Sequence, residues 1–342
     1  MKALVLEAYN RLRYMDVPDP VPGPSEVLVR VAACGICGSD VHGVDGSTGR
    51  RRPPVIMGHE AASTVAAVGD DVSDWHTGDR VTFDSTIWCG RCDFCRQGRV
   101  NLCEDRRVLG VSCEEYRCDG AMAEYVVVPQ RILYRLPEGL SFEAAAMVEP
   151  LSVAVHAVKR IRPHLGETAV VVGAGVIGLL AVQALRAAGC PRVLAVDLDA
   201  SRLRMAERLG AEVGLNAGED GVQERIREWS DGGVDVAVEA VGLSPTVNLA
   251  VSVVRKGGAL ALVGNVAPQV DWPLQAVVTR ELSVYGSCAS AGEYPACLDL
   301  LADGAVNAEP LISEVVPLSR GAEAFERLRR GEPGLIKVML AP

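Results

Sequence analysis

The sequence has no excess of positive charge. Lys and Arg number 34 against 44 Asp and Glu, giving a net charge of −10, and no block of like charges stands out. Nucleic acids and anionic membrane surfaces favour a basic face, so neither is expected as a partner. Long apolar runs are also missing. The longest, Ala169 to Val182, is interrupted by Gly173, Gly175 and Gly178 and is too short to span a bilayer. Met1 to Met15 carries Lys2, Glu7, Arg11 and Arg13 and lacks the apolar stretch of a secretory leader. There is no internal repeat and no low-complexity segment. These absences together predict a cytoplasmic protein.

What is present is length, apolar content and cysteine. A chain of 342 residues, 49% of them hydrophobic, suggests two domains with sizeable cores. Up to about residue 150 the chain has short apolar runs broken by Gly, Pro and Asp, such as Glu26–Val31 and Ala123–Val128, a pattern that suits an all-β unit. From Thr168 strand-like runs alternate with helical ones. Strands are predicted at Ala169–Val172, Arg192–Val196, Glu212–Leu215, Val234–Val238, Ala259–Val263 and Leu282–Tyr285, with helices such as Val176–Ala188 and Ser201–Leu209 between most of them. Six strands with crossovers indicate a doubly wound parallel sheet. Beyond Gly286, Pro295–Ala302 and Ala322–Arg330 read as helices and Leu335–Leu340 as a last strand.

Eleven cysteines are many for a cytosolic chain. Some act as small buried hydrophobes, and a disulfide framework is not expected at this length without a leader. Seven of them (Cys34, Cys37, Cys89, Cys92, Cys95, Cys103 and Cys113) crowd one stretch, which favours metal over packing. Cys89, Cys92 and Cys95 are three residues apart and Cys103 follows. Tight turns of this kind let thiolates reach one ion, and four thiolates close a tetrahedron, so the site is structural. An iron–sulfur cluster also takes four cysteines.

A second constellation is Cys37, His59, Glu60 and Glu149, set in Cys34-Gly-Ile-Cys37-Gly-Ser39-Asp40-Val-His42, Gly58-His59-Glu60 and Val148-Glu149-Pro150. A thiolate, an imidazole and carboxylates can hold zinc with a position left open. Zinc there would acidify a bound alcohol as it acidifies water. Each residue also has a plainer reading: Cys37 in a core, His59 a satisfied polar group, Glu149 a surface carboxylate ending a helix before Pro150.

Gly173-Ala174-Gly175-Val176-Ile177-Gly178 follows a predicted strand and opens a predicted helix. Glycines at this spacing permit the tight turn, the approach of a pyrophosphate and close helix–strand packing, with the phosphates on the helix N-terminus. Asp197 ends the next strand, about 20 residues past Gly178, where a carboxylate accepts from the ribose hydroxyls of NAD and repels the 2′-phosphate of NADP. Arg202 follows and is placed to lie over the adenine, or is an ordinary surface arginine.

Taken together, Cys37-Gly-Ser39-Asp40-Val-His42, Gly58-His59-Glu60-Ala61, Gly78-Asp79-Arg80-Val81, the four-cysteine lobe, the glycine motif and Asp197 resemble the zinc-containing medium-chain alcohol dehydrogenases over essentially the whole chain. Glu149-Pro150-Leu151-Ser152-Val153 resembles the polyol branch, with its sorbitol, threonine, butanediol and sugar-alcohol-phosphate dehydrogenases. The resemblance implies an α/β protein: a GroES-like β-barrel catalytic domain over 1–151, a Rossmann nucleotide-binding domain over 152–287 and a return to the catalytic domain over 288–342. It implies that Cys37, His59, Glu60 and Glu149 hold a catalytic zinc, Glu149 directly or through water in place of a second cysteine. Ser39 would take the alcohol proton and His42 would pass it to solvent through the nicotinamide ribose. Asp40 would orient a zinc ligand. Val263, Gly264 and Asn265, and the turn Ser287, Cys288 and Ala289, would line the nicotinamide.

The expected function is therefore hydride transfer between a secondary alcohol, such as a polyol, and NAD, with two zinc ions per chain and a homotetramer favoured over a dimer, the Leu282–Tyr285 edge pairing across an axis. Threonine, butanediol and polyol-phosphate oxidation lie within the same branch. A zinc-independent reductase and a non-enzymatic NAD-binding protein are the readings from other classes. Sorbitol dehydrogenases carry tyrosine where this chain has Gly43, and Arg-Tyr where it has Ala289-Ser290, which counts against sorbitol itself. Residues 279–287 look more like galactitol-phosphate relatives. Cys113, Cys118, Cys190, Cys288 and Cys297 receive no role, and core packing is expected for Cys288.

Overall fold

The computed structural model describes residues 1–113 and 116–342, with the side chains of residues 113, 116 and 117 outside the description. The unassigned Cys113 side chain therefore lies outside the described residues. The chain forms two compact units, one of Met1–Glu149, Tyr294–Asp303 and Ala308–Pro342, the other of Pro150–Glu293 and Gly304–Asn307.

The first unit is built on a seven-stranded sheet. Its order runs Leu133–Arg135, Arg80–Phe83, Glu60–Val68, Glu26–Gly35, Lys337–Ala341 and Ile312–Pro317, with Tyr125–Pro129 also paired to Glu26–Gly35. A second sheet of Arg11–Asp16, Lys2–Ala8 and Val55–Ile56 packs into the same core. The alternation read at Glu26–Val31 is real: Val27, Val29 and Val31 are buried while Leu28 and Arg30 are less so. The strand runs on to Gly35, so the sheet delivers the chain directly to Cys37. In register, Gly35 lies opposite Glu60 on one side and Met339 on the other.

The unit is not purely β. Short helices occupy Gly38–Gly43, Asp93–Arg96 and Phe142–Ala146. Each is at most six residues long, too short for a 3.6-residue hydrophobic period to show in the sequence. Two of them carry site residues. A further departure concerns Glu149. It does not end a helix before Pro150 but stands in the first turn of Val148–Ile161. Proline is tolerated there because a first-turn N–H has no partner within the helix.

The second unit is a six-stranded all-parallel sheet in the order Val213–Asn216, Arg192–Asp197, Thr168–Val172, Val234–Glu239, Val254–Leu262, Ser283–Gly286. This is the doubly wound dinucleotide-binding arrangement, with the topological switch beside the central strand Thr168–Val172. The predicted strands lie where they were expected, within one residue at most boundaries. The exception is the fifth, which begins at Val254 rather than Ala259: it takes in the exposed Arg255, Lys256 and Gly257, the buried Gly258 and an irregularity in its pairing with Val234–Glu239. Helices Val176–Ala187 and Ala200–Arg208 flank the sheet. Among the described residues no helix is long and apolar enough to cross a membrane.

Candidate active site and metal centres

The four-cysteine lobe is local. Cys92 precedes the single-turn helix Asp93–Arg96, and Cys103 follows a 3-10 turn at Val100–Leu102. The four sulfurs lie within 4.8 Å of one another. Backbone N–H groups point at them: Arg91 and Cys92 donate to Cys89 Sγ at 3.5 and 3.4 Å, and Cys89 donates to Cys103 Sγ at 3.3 Å. The amides of Arg91 and Cys92 pull the Cys89 thiol down to about 6, and those of Cys95 and Glu104 lower Cys92. Burial instead pushes the Cys95 thiol up to about 12, so the lowering is confined to Cys89 and Cys92, but four sulfurs converging on one point fit a closed tetrahedral zinc.

The second constellation is assembled from distant parts of the chain. Cys37 caps the helix Gly38–Gly43, while His59 and Glu60 stand at the start of the strand Glu60–Val68. Their ligand atoms also fall within 4.8 Å of one another. Glu149 stands outside that spacing but near enough for the charges of His59, Glu60 and Cys37 to act on it. Burial, together with the neighbouring Glu60, pushes the Cys37 thiol up to about 12. Burial lifts the Glu149 carboxyl to about 8, with His59 opposing and Glu60 and Cys37 reinforcing. Acids that resist ionisation because they are buried and crowded by other acids are what a divalent cation relieves. The donor set fits zinc with an open position.

Two buried cations that sequence reasoning missed complete the surroundings. Arg51, 1% exposed, donates from Nη2 to Asp40 Oδ1 at 2.6 Å, and Asp40 Oδ2 lies 3.6 Å from His59 Nδ1. Desolvation alone would raise the Asp40 carboxyl, but His59 and Arg51 hold it below the usual carboxylate range. Asp40 Oδ2 also accepts from the Cys37 amide at 3.3 Å, so one carboxylate braces two candidate ligands. Arg51 Nη2 lies 3.4 Å from Ser39 Oγ as well. Ser39 and His42 are both exposed on the short helix. The second cation, Lys337, is 2% exposed and donates to Glu60 Oε2 at 2.6 Å and to the Ile36 carbonyl at 3.0 Å. Arg51 was hidden in the Arg50-Arg51-Arg52 run, which looks like solvated charge. Lys337 left a signal, a lone charge inside the apolar strand Lys337–Ala341.

The same packing explains Gly43. A Cβ there would meet Arg51 Cγ at 2.6 Å, so the tyrosine of the sorbitol-type pattern is incompatible with a buried Arg51.

In the second unit Gly173 has φ +97°, a left-handed value that favours glycine. A Cβ on Gly178 would fall 1.7 Å from the Gly173 carbonyl oxygen, whereas nothing lies within 4 Å of one on Gly175. The first glycine makes the turn, the third packs helix on strand, and the second leaves the space a pyrophosphate needs. Val176 and Ile177 open the helix behind it. Asp197 sits at the end of its strand and accepts from the amides of Ala174 at 2.6 Å and Asp199 at 2.9 Å, which fixes its carboxylate beside the glycine loop. Arg202 lies on the following helix, 4.0 Å from Asp199. Val263, Gly264 and Asn265 pack against the loop after Val234–Glu239. The fully buried Glu239, also missed in the sequence, ties that loop by accepting from the Val241 and Gly242 amides at 3.0 and 2.8 Å. Ser287, Cys288 and Ala289 follow the edge strand, with Ala289 at φ +51°. Core packing does not hold for Cys288, which is exposed because the strand has already ended at Gly286; Cys190 and Cys297 are buried.

A GroES-like sheet unit carrying a mixed thiolate, imidazole and carboxylate cluster, joined to a dinucleotide-binding sheet, defines a class of zinc-dependent oxidoreductase. Comparison with known proteins agrees. The model of the alcohol dehydrogenase GroES-like domain matches residues 23–138, and that of the zinc-binding dehydrogenases matches residues 176–303. The chain is 36% identical to sorbitol dehydrogenase of Bacillus subtilis (strain 168), covering 100% of this chain and 97% of that one. It is 35% identical to D-arabitol-phosphate dehydrogenase of Enterococcus avium, over 97% and 94%. A zinc-binding dehydrogenase of Sinorhizobium meliloti 1021, solved with NADP bound, shares 34% identity and superposes with a TM-score of 0.90 over 100% and 99% of the two chains. The chain belongs to the zinc-containing medium-chain alcohol dehydrogenases, in the polyol dehydrogenase branch. It is a zinc-dependent alcohol oxidoreductase.

Proposed function

We propose that the protein oxidises a secondary alcohol of the polyol or sugar-alcohol class with NAD, reversibly, in the cytoplasm and as a homotetramer. The observation that carries the proposal is the convergence of Cys37, His59 and Glu60, with Glu149 beside them, in a buried site that raises the Cys37 thiol and the Glu149 carboxyl. In this reading these four residues hold the catalytic zinc, Glu149 through a water because of its greater distance, and the four-cysteine lobe holds the structural zinc. Zinc bound there would lower the proton affinity of a substrate hydroxyl. Ser39, exposed and close to the Arg51 guanidinium, takes that proton, and the exposed His42 hands it to solvent. Asp40 keeps His59 in place through its charge. Gly173, Gly175 and Gly178 seat the pyrophosphate, and Val263–Asn265 and Ser287–Ala289 line the nicotinamide. In the same reading the catalytic domain spans 1–151 and 288–342 and the nucleotide domain 152–287; compact units that divide at Glu149/Pro150 and Glu293/Tyr294 support it.

The preference for NAD rests on Asp197, whose fixed carboxylate would face a 2′-phosphate. An NAD-linked screen of polyols, polyol phosphates, diols and threonine tests the reading. It expects turnover on at least one class, and higher kcat/KM with NAD than with NADP on that substrate. Silence across all classes with both zinc ions loaded sinks the activity, and the reverse cofactor ratio sinks the assignment to Asp197. The bound NADP of the Sinorhizobium protein makes that second comparison decisive for this chain. Sedimentation tests the tetramer.

A further inference from the structure

Three neighbouring strands of the first unit meet beside the candidate catalytic zinc. Glu26–Gly35 lies in the middle, with Glu60–Val68 on one flank and Lys337–Ala341 on the other. Gly35 is opposite Glu60 in one pairing and Met339 in the other. Lys337 reaches across the middle strand to Glu60, their side chains meeting at 2.6 Å although 277 positions separate them in sequence. The crossing works because the intervening residue is glycine: a Cβ on Gly35 would stand 2.2 Å from Glu60 Oε2. Lys337 Nζ is held in turn by the Ile36 carbonyl at 3.0 Å. Both charges are essentially excluded from water, at 2% and 1% side-chain exposure.

We propose that Lys337 is a positioning residue for the catalytic zinc, pinning Glu60 by Oε2 over Gly35 so that the carboxylate offers the metal its other oxygen in a fixed orientation. The inference rests on the reading of Glu60 as a zinc ligand. Buried carboxylate–lysine pairs are costly to assemble, so a pair placed one side chain from a metal site is poorly explained by stability alone. Charge gives a second reason. A thiolate and two carboxylates around a divalent cation leave one surplus negative charge in a dry site, and the ammonium cancels it. Groups that orient metal ligands from behind typically contribute about 10–100-fold to metal affinity or activity.

The test uses the zinc-loaded full chain and its K337M, K337R, G35A and E60Q variants. Zinc is counted by elemental analysis during exposure to a chelator, and the catalytic site is probed separately by cobalt substitution. K337M is expected to lose one zinc at least about tenfold faster than the parent, with the other unaffected, and to shift the cobalt d–d bands as Glu60 swings free. G35A, whose methyl displaces Glu60 Oε2, should show the same shift, and K337R should restore slow loss. If Lys337 acted only as a cation repelling a cation, K337M would hold zinc as tightly as the parent or tighter. That result, or an unchanged cobalt spectrum in K337M, overturns the proposal. Should K337M fail to fold, the E60Q/K337M double variant, free of that buried pair, replaces it: zinc loss equal to that of E60Q alone supports the tether, and a further tenfold acceleration overturns it. E60Q retaining its zinc like the parent would instead sink the reading of Glu60 as a ligand. Loss in E60Q without loss in K337M sinks only the role of Lys337.

Discussion

The two candidate metal constellations of this chain share only the thiolate as a donor type and are built on opposite principles. The four-cysteine lobe is made within one short stretch, from Cys89 to Cys103, and its sulfurs are steadied by the backbone amides of their own turn. The Cys37, His59, Glu60 and Glu149 site draws on two strands and two helices, and its donors are steadied by buried ion pairs, Arg51 with Asp40 and Lys337 with Glu60. The first needs only a local turn. The second needs the whole sheet to be in register. A site of the first kind can form as soon as its own turn does, and one of the second kind depends on the packing of distant elements.

The sharpest way to break the comparison is to remove one donor from each site. Cys37→Ser should abolish turnover while the protein keeps its circular dichroism and one zinc per chain. Cys103→Ser should do the reverse, losing the other zinc and lowering the midpoint of thermal unfolding while turnover persists at low temperature. Loss of turnover with full zinc retention in Cys103→Ser would mean that the lobe is part of the chemistry.

Next in size is the ion pairing. Asp40→Asn leaves the Arg51 guanidinium buried without its counter-charge, and breaking a buried pair typically costs about 3–5 kcal/mol. Denaturant unfolding should show a loss of that order. A loss below about 1 kcal/mol, the range of surface pairs, would show that the site is not held by its buried charges.

The smallest effect is in thiol chemistry. In the metal-stripped protein Cys89, lowered to about 6, is mostly thiolate at neutral pH, so its alkylation should rise with pH through about 6 and then level off. Cys37, pushed up to about 12, should alkylate slowly at neutral pH and faster with every further unit of pH across the ordinary thiol range. Mass spectrometry of the modified chain reads both. Equal rates at pH 7 would erase the electrostatic distinction between these two thiols.

The same contrast decides what could be read from sequence. Cys89, Cys92, Cys95 and Cys103 announce themselves by spacing, and Gly173, Gly175 and Gly178 by their place between strand and helix. The central strand of the parallel sheet, Thr168–Val172, and the Val193–Val196 part of its neighbour are short buried apolar runs, because both faces of such a sheet are covered, whereas the edge strands Val213–Asn216 and Ser283–Gly286 are less buried. What eluded the sequence is held together across it. Arg51 and Lys337 have no local pattern, since their meaning comes from partners on other strands. Glu239 looked like the ordinary end of a strand. The short helix carrying Ser39, Asp40 and His42 spans less than two turns, too little for a period to emerge. The plainer alternative for Glu149, the end of a helix before Pro150, fails because the proline sits in the first turn of Val148–Ile161.

The pairing of Lys337 with Glu60 also sets an order of assembly. A nascent chain has everything its four-cysteine lobe needs once Cys103 has emerged. The second site waits for the strand Lys337–Ala341, synthesised more than two hundred residues later. Until that strand docks, Glu60 lacks the Lys337 ammonium, so the four-cysteine lobe can close on a metal while the second constellation is still incomplete.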